Sequence, residues 1–160
     1  TRTIQVRIPA GVSEDAHLKM AGEGEAGTKG GYNGDLYIVL HVKDHKWFER
    51  HGDDLVCEVP ISISQATLGA EISVPTLDEK RVKLKVPAGT QGESILRVRG
   101  QGVAQLNRSG RGDLLVKIVV RIPDSLSGKQ KQIMKEFAAV SNDNDSPQPT
   151  DLLARRRGRY

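Results

Sequence analysis

The segment IQVRIPAG at residues 4–11 recurs in altered form as VKLKVPAG at residues 82–89, which lies 78 positions later. The same offset, carried on without a gap, brings Gly-Asp-Leu at residues 34–36 onto Gly-Asp-Leu at residues 112–114. Two three-residue matches held in one frame do not arise by chance. A fixed period of this kind indicates a duplicated structural unit.

Apolar and polar residues alternate through both copies, with Gly and Pro clusters between the alternating runs. Alternation of period two is typical of a strand with one buried and one solvated face, and Gly and Pro mark the turns. The segment 65–68 is expected to form one helical turn that Gly69 closes. The sequence therefore predicts an all-β fold of two tandem antiparallel β-sandwich units, the first one partial, followed by a short C-terminal helix. The predicted strands carry Ile4, Val6 and Ile8; Leu36, Ile38, Leu40 and Val42; Leu55, Cys57, Val59, Ile61 and Ile63; Val82, Leu84 and Val86; and Leu114, Val116, Ile118 and Val120.

The repeat period also predicts the domain boundaries. A unit of 78 residues that ends near residue 120 begins near residue 42, so the first copy lacks its opening part and the sequence is expected to be a fragment. We expect the back half of a first β-domain at 1–46 and a second β-domain at 47–123. A helix segment should follow at 124–142, with Ser127 as its N-cap, and a disordered tail at 143–160, which is polar and contains prolines.

Composition excludes several classes of protein. The 160 residues carry a net charge of +4 and few aromatic side chains, 4% of the total, so nucleic-acid binding through stacking is not expected. No apolar run approaches the roughly 18 residues that a membrane helix needs. One cysteine, Cys57, permits neither a disulfide within the chain nor a Cys-rich zinc site, which is typical of a reducing compartment and favours the cytoplasm. The basic RRRGR near the C-terminus is expected to be a solvated tail.

The segment GEGEAG at residues 22–27 matches the G-x-G-x-x-G pattern of dinucleotide-binding folds. Such a site needs a helix directly after the glycines, so that its N-terminus faces the phosphates. Here TKGGYNGD follows, which cannot begin a helix, and the second copy keeps only the first two glycines, as Gly100 and Gly102. We therefore predict a glycine-dependent bend between strands rather than a nucleotide site.

Neither the acids, the histidines nor the cysteine form a catalytic pattern. Asp35 and Asp113 recur in the same setting, but no His, Ser or second acid recurs with them, so we expect each to accept backbone N–H bonds where a strand begins. His41 is replaced by Val119 in the repeat, and a cation site in HGDD at 51–54 is less favoured than a solvated turn. The chain is predicted to be no enzyme and to hold no metal.

Several motifs in order resemble the C-terminal substrate-binding region of bacterial-type DnaJ, the Hsp40 co-chaperone. These are HKWFERHGDDL, PISISQATLGAEISVPTLD, PAGTQGESILRVRGQGV and RGDLLVKIVVRIP, preceded by TRTIQVRIPAGV, AGEGEAG and GDLYIVLHV. The resemblance covers about residues 1 to 140. The J domain with its His-Pro-Asp motif and the Cys-rich zinc region of that family have no counterpart in this sequence, so zinc is expected only in a region outside it.

The resemblance implies a function and a set of residues. It implies binding of unfolded polypeptide, delivery of that polypeptide to Hsp70, which acts with a nucleotide exchange factor, and homodimerisation. Phe48 matches an aromatic of the family's peptide groove, and the repeat adds Cys57, Val59 and Val74 as corresponding strand positions. A peptide could also add to an exposed strand edge. The apolar stripe of the helix, Ile133, Met134 and Phe137, is the expected dimer contact. The alternative is a purely structural or assembly module without its own ligand.

Overall fold

A computed structural model describes residues 3–141 and residue 149, and the chain divides into two compact units, Thr1–Ile122 and Pro123–Tyr160. The first unit is built almost entirely of strands, and the second contains one helix among its described residues. The predicted β-rich fold with a short C-terminal helix is thus confirmed. The boundary predicted at residue 46/47 stays a prediction, and the predicted tail at 143–160 lies outside the described residues apart from Pro149.

The first copy of the repeat contributes one antiparallel strand pair. Strand β1, His17–Met20, pairs with β2, Leu36–Val39, and a single 3-10 turn at Thr28–Gly30 interrupts the connection between them.

The second copy forms two sheets that bury one core. A four-stranded sheet has the order β3-β4-β8-β7, and β5 pairs with β6 in a separate two-stranded sheet. Leu114, Val116 and Ile118 of β8 are fully buried, as is Val74 of β5, because alternate side chains of each sheet face the other. The strands are β3 Glu49–His51, β4 Asp54–Ser62, β5 Ala70–Pro75, β6 Arg81–Val86, β7 Ile95–Val98 and β8 Leu114–Arg121.

The two copies share one backbone plan. The pair β7–β8 repeats the register of β1–β2, since Leu18 faces Ile38 and Leu96 faces Val116 at the same offset of 78 residues. The structure therefore confirms the duplication residue by residue in this region.

Apart from strand ends, where Ile63 begins a helix and Leu40 and Val42 lie outside a strand, two details differ from the sequence prediction. First, β4 and β8 run parallel, with Leu55 opposite Leu114, although all sheets were expected to be antiparallel. Alternation reports which face of a strand is buried and carries no information on the direction of its neighbour. Second, the segment with Ile4, Val6 and Ile8 is not a strand. Its equivalent β6 pairs with β5, whose counterpart in the first copy would fall ahead of Thr1 in this numbering.

Both helices are capped, and Gly69 and Ser127 take the capping positions that the sequence predicts for them. Helix α1, Ile63–Leu68, begins with a reciprocal capping box between Ser62 and Gln65 and ends at Gly69, whose φ is 80°. Helix α2, Gly128–Ser141, belongs to the second unit. Its N-terminus is capped by Ser127, whose Oγ accepts from the Gln130 N–H at 3.3 Å while the Gln130 side chain accepts from the Ser127 N–H at 2.9 Å. Neither helix described in the chain is long and apolar enough to cross a membrane.

Candidate functional site

Strand β4 has one edge that is only partly covered. On one side β8 pairs with it from Leu55 to Ser62, and on the other β3 pairs with it only as far as Val56. No described strand lies beside residues 57–62 on the β3 side. Although β4 lies inside the sheet order, its residues 57–62 therefore form an exposed sheet edge.

Hydrogen bonding across the sheet shows which groups this edge presents. The Leu55 N–H donates to the Asp113 carbonyl at 2.9 Å, so the odd-numbered residues of β4 bond towards β8. In a parallel ladder the groups of every second residue point to the same neighbour. The N–H and C=O of Glu58 and the C=O of Pro60 consequently point to the uncovered side. Pro60 lacks an N–H and is tolerated there because its nitrogen faces away from the ladder.

A groove of about 580 Å³ lies along this edge. We call it the β4 groove. Aromatic side chains line part of it; Trp47 is 58% exposed and Phe48 is 6% exposed. His45 contacts both, with its ring centroid 4.9 Å from Phe48 and 6.1 Å from Trp47. The residues that line it include Trp47, Phe48, Cys57, Val59, Pro75 and Arg81.

Three of the four residues predicted to bind peptide, Phe48, Cys57 and Val59, line the β4 groove. Val74 does not line it; this residue is 0% exposed and belongs to the core, although its sequence neighbours Ser73 and Pro75 line the groove. Phe48 and Cys57 are themselves buried core members, so they support the floor of the groove and expose little surface. Their role in peptide binding stays a prediction.

Charged side chains of both signs surround the apolar floor. Arg81 is held by Ser73, donating from Nε to Oγ at 3.0 Å and from Nη2 to the carbonyl at 2.8 Å. Glu58, which also lines the groove, pairs with Lys117 at 3.1 Å. A mixed rim does not select a ligand of one charge.

Cys57 has the environment of an inert thiol. Burial raises the pKa of this thiol, so it stays protonated at neutral pH. The thiolate is the nucleophilic form of cysteine, which agrees with the expectation that Cys57 is a packing residue.

The sequence-based prediction did not locate the uncovered strand edge at Glu58 and Pro60. Pro60 was the available signal, because proline within an alternating run is confined to edge strands or bulges.

The glycine pattern at residues 22–27 forms a turn that a hydrogen bond to Asp35 holds in place. The Gly22 N–H donates to Asp35 Oδ1 at 3.1 Å, and in the second copy the Gly100 N–H donates to Asp113 Oδ1 at 2.9 Å. No helix follows the glycines, since the next element is the 3-10 turn at Thr28–Gly30. The predicted structural roles of these glycines and of Asp35 and Asp113 are confirmed.

The residues predicted for dimerisation lie together on α2. Ile133, Met134 and Phe137 are 53%, 39% and 59% exposed. Because residues spaced by three and four positions share a helix face, they form one apolar stripe.

Comparison with known proteins places the chain among DnaJ sequences. A family model described as DnaJ C terminal domain matches residues 1–123. Chaperone protein DnaJ from Brevibacillus choshinensis is 54% identical over 142 residues, which make up 89% of this chain and 38% of that protein. The proteins of the same name from Desulfitobacterium hafniense strain DSM 10664 / DCB-2 and Leptospira biflexa strain Patoc 1 / Ames are 49% and 50% identical over the same share of this chain.

The match extends over most of this chain but over a minor part of each relative. The chain spans 37% to 38% of the length of these three proteins. The repeated β-units and the ordered motifs lie within the matched residues 1–123. This chain therefore belongs to the DnaJ C-terminal domain family.

Proposed function

We propose that this chain binds extended segments of non-native polypeptide in the β4 groove, by adding a strand to the uncovered edge of β4. The observation that carries the proposal is the coincidence of an open strand edge at Glu58 with an apolar groove that exposed Trp47 flanks. Backbone groups hold a peptide without regard to its sequence, while a groove beside them takes alternate side chains.

The chemistry of the groove suits clients that have lost their fold. An unfolded segment exposes both apolar side chains and unpaired backbone groups, and the β4 groove offers a partner for each. The edge supplies one N–H, from Glu58, and two carbonyls, because Pro60 has no N–H. We therefore expect short contacts of a few residues, which bind weakly and exchange readily. The step involves binding alone and no bond is made or broken.

The relatives that share residues 1–123 are named Chaperone protein DnaJ. On that basis we propose that the whole protein to which this region corresponds is a cytoplasmic co-chaperone that passes its clients to Hsp70, which works with its nucleotide exchange factor, and that it acts as a homodimer. The β4 groove would then hold the client until transfer.

Binding of a labelled peptide tests the proposal. A fluorescent heptapeptide rich in Leu and Val is titrated into the chain and followed by anisotropy. A second peptide carries an N-methyl group at every position, so that it keeps its side chains but has no N–H with which to pair along either edge. We expect the methylated peptide to bind at least about tenfold more weakly, because a difference of 1.4 kcal/mol, about that of one or two hydrogen bonds, is tenfold in affinity.

Variants locate the binding site. Trp47→Ala removes an exposed ring from the groove and should weaken binding of the unmethylated peptide, whereas Tyr32→Ala removes a fully exposed ring elsewhere and should not. Equal affinity for both peptides would exclude strand addition. Equal affinity of the two variants would exclude the β4 groove as the site.

A further inference from the structure

Three side chains from two separate segments meet beyond the end of the β1–β2 ladder. His41 Nδ1 lies 3.1 Å from Glu14 Oε1 and 3.6 Å from Asp15 Oδ1. One donor atom from each of the three residues lies within 4.8 Å of the other two. None of the three lines the β4 groove.

Backbone hydrogen bonds hold these segments side by side. The Asp15 N–H donates to the Leu40 carbonyl at 3.0 Å, and the Leu40 N–H donates to the Ala16 carbonyl at 2.9 Å. Glu14 is fixed further, because its second carboxylate oxygen, Oε2, accepts from the Val42 N–H. The donor atoms are thus brought together by the ladder itself.

The second copy shows that the fold does not need these side chains. The same backbone bonds recur there, from Glu93 N–H to the Ile118 carbonyl at 2.8 Å and from Ile118 N–H to the Ser94 carbonyl at 2.8 Å. The positions equivalent to Glu14 and His41 are Gly92 and Val119. The junction therefore forms without an imidazole and with a single carboxylate, so packing of the turn does not explain the trio.

The spacing of the donor atoms matches that around a metal ion. Nitrogen and oxygen ligands bind Zn²⁺ at 2.0–2.2 Å in tetrahedral geometry, which sets neighbouring ligand atoms about 3.4 Å apart. The two observed distances from Nδ1, 3.1 and 3.6 Å, lie on either side of that value. We propose that Glu14, Asp15 and His41 form a binding site for a divalent transition metal of the zinc type, with water completing the coordination.

The donor set favours this class of metal over the hard cations. Imidazole suits Zn²⁺ and its neighbours, whereas Ca²⁺ and Mg²⁺ take oxygen ligands throughout. Binding needs the neutral imidazole, so the metal displaces any proton on Nδ1. A bound ion would tie the segment before β1 to the segment after β2.

Zinc titration of the chain tests the site. Zn²⁺ alone is added while histidine ring resonances are followed by NMR, and the affinity and stoichiometry are measured by calorimetry. We expect one site per chain, with saturable shifts at His41. His41→Val installs the residue that the repeat carries at this position, so the fold should survive, and it should weaken zinc binding by at least about tenfold, the lower limit for removing even an outer partner of a metal ligand.

A second histidine provides the matched control. His51 is also exposed and pairs with one carboxylate, Glu49, at 2.8 Å. His51→Ala should leave zinc affinity unchanged. The proposal is overturned if Zn²⁺ shifts the His51 ring as strongly as the His41 ring, if His41→Val binds zinc as the unaltered chain does, or if no saturable binding occurs. The trio would then be an ion pair only.

Discussion

Asp35 and Asp113 perform the same task in the two copies of the repeat. Each accepts a glycine N–H thirteen residues earlier, and each lies beside a cation of the neighbouring strand. Lys19 Nζ is 2.7 Å from Asp35, and Arg97 Nη1 is 3.6 Å from Asp113. The hydrogen bond from Lys19, followed by that from Gly22, lowers the pKa of the Asp35 carboxyl.

The lowered pKa of Asp35 predicts a loss of stability in acid. A carboxyl that is more acidic in the folded chain stabilises the fold above its ordinary pKa, here 3.8, and that contribution is lost as the pH falls through the lowered value. Asp35→Asn keeps an oxygen that can accept from Gly22 but removes the charge. We expect its melting temperature to be lower than that of the unaltered chain at pH 7 and to fall less between pH 5 and pH 2.

The control for this experiment is Asp44→Asn, which removes an exposed carboxylate from the segment between the two copies. Thermal melts at several pH values should give this variant the same acid profile as the unaltered chain. If Asp35→Asn also follows that profile, the charge of Asp35 does not contribute to acid sensitivity.

At the residue scale, the sequence predicts the role of a residue where the same residue recurs in the second copy of the repeat. The roles of Asp35 and Gly22 followed from their recurrence as Asp113 and Gly100. Spatial neighbours that come from separate segments left no such signal. Glu14 and His41 are 27 residues apart, and their proximity depends on the β1–β2 register, which the sequence alone did not provide.

Among the elements, the glycine turns determine how closely two segments can approach. The N–H groups of Gly24 and Gly102 donate to the carbonyls of Gly34 and Gly112 at 2.8 and 2.7 Å. A Cβ on Gly102 would lie 2.4 Å from the Gly112 carbonyl carbon and 2.5 Å from the Asp53 carbonyl oxygen, which are backbone atoms. The second glycine of each copy is therefore required because a side chain at that position would clash with neighbouring backbone atoms.

Gly102→Ala should destabilise the chain by about 2–3 kcal/mol, the upper part of the usual range for a single substitution, because backbone atoms on two segments must shift. Gly92→Ala is the matched control, since a Cβ there meets nothing within 4 Å and its φ is not positive. Urea unfolding of both variants measures the difference. If the two glycines tolerate alanine equally, the close approach at Gly102 is not a constraint on the fold.

Element prediction succeeded where the determinants are local. Ser127 as N-cap and Gly69 as the closing residue each marked a helix end correctly. It failed where an element depends on a distant partner. The segment with Ile4 to Ile8 alternates well but has no paired strand among the described residues, and the parallel neighbour of β4 comes from residues 114–121.

For the first unit as a whole, Arg50 is an arginine that hydrogen-bonds across the two copies. Arg50 of β3 donates to the carbonyls of Gly11, at 2.9 Å, and Val12 in the first copy, and to Gly52 in its own turn at 2.7 Å. Since β3 begins at Glu49, opposite Val56, where the uncovered edge of β4 starts, the joint between the copies lies next to the β4 groove. The edge arises because β3 begins only at Glu49, which no periodic pattern in the sequence predicts.

The stripe on α2 leads to a prediction about assembly. Covering three exposed apolar side chains on one helix face lowers the free energy of a complex. A second copy of the same helix can cover them by two-fold symmetry. We expect the chain to dimerise through this stripe. The double variant Ile133→Ser/Phe137→Ser should shift the chain from dimer to monomer in sedimentation equilibrium, with no change in the melting of the β-unit.

Lys135→Ser provides the comparison, because at 3.6 residues per turn it lies on the opposite side of α2 from the stripe. This variant should sediment as the unaltered chain does. Like each substitution of the double variant, it introduces one serine, which lowers helix propensity, into the same part of α2. A dimer that persists in Ile133→Ser/Phe137→Ser would show that another surface holds the copies together. A monomer in all three samples would show that α2 does not dimerise this chain.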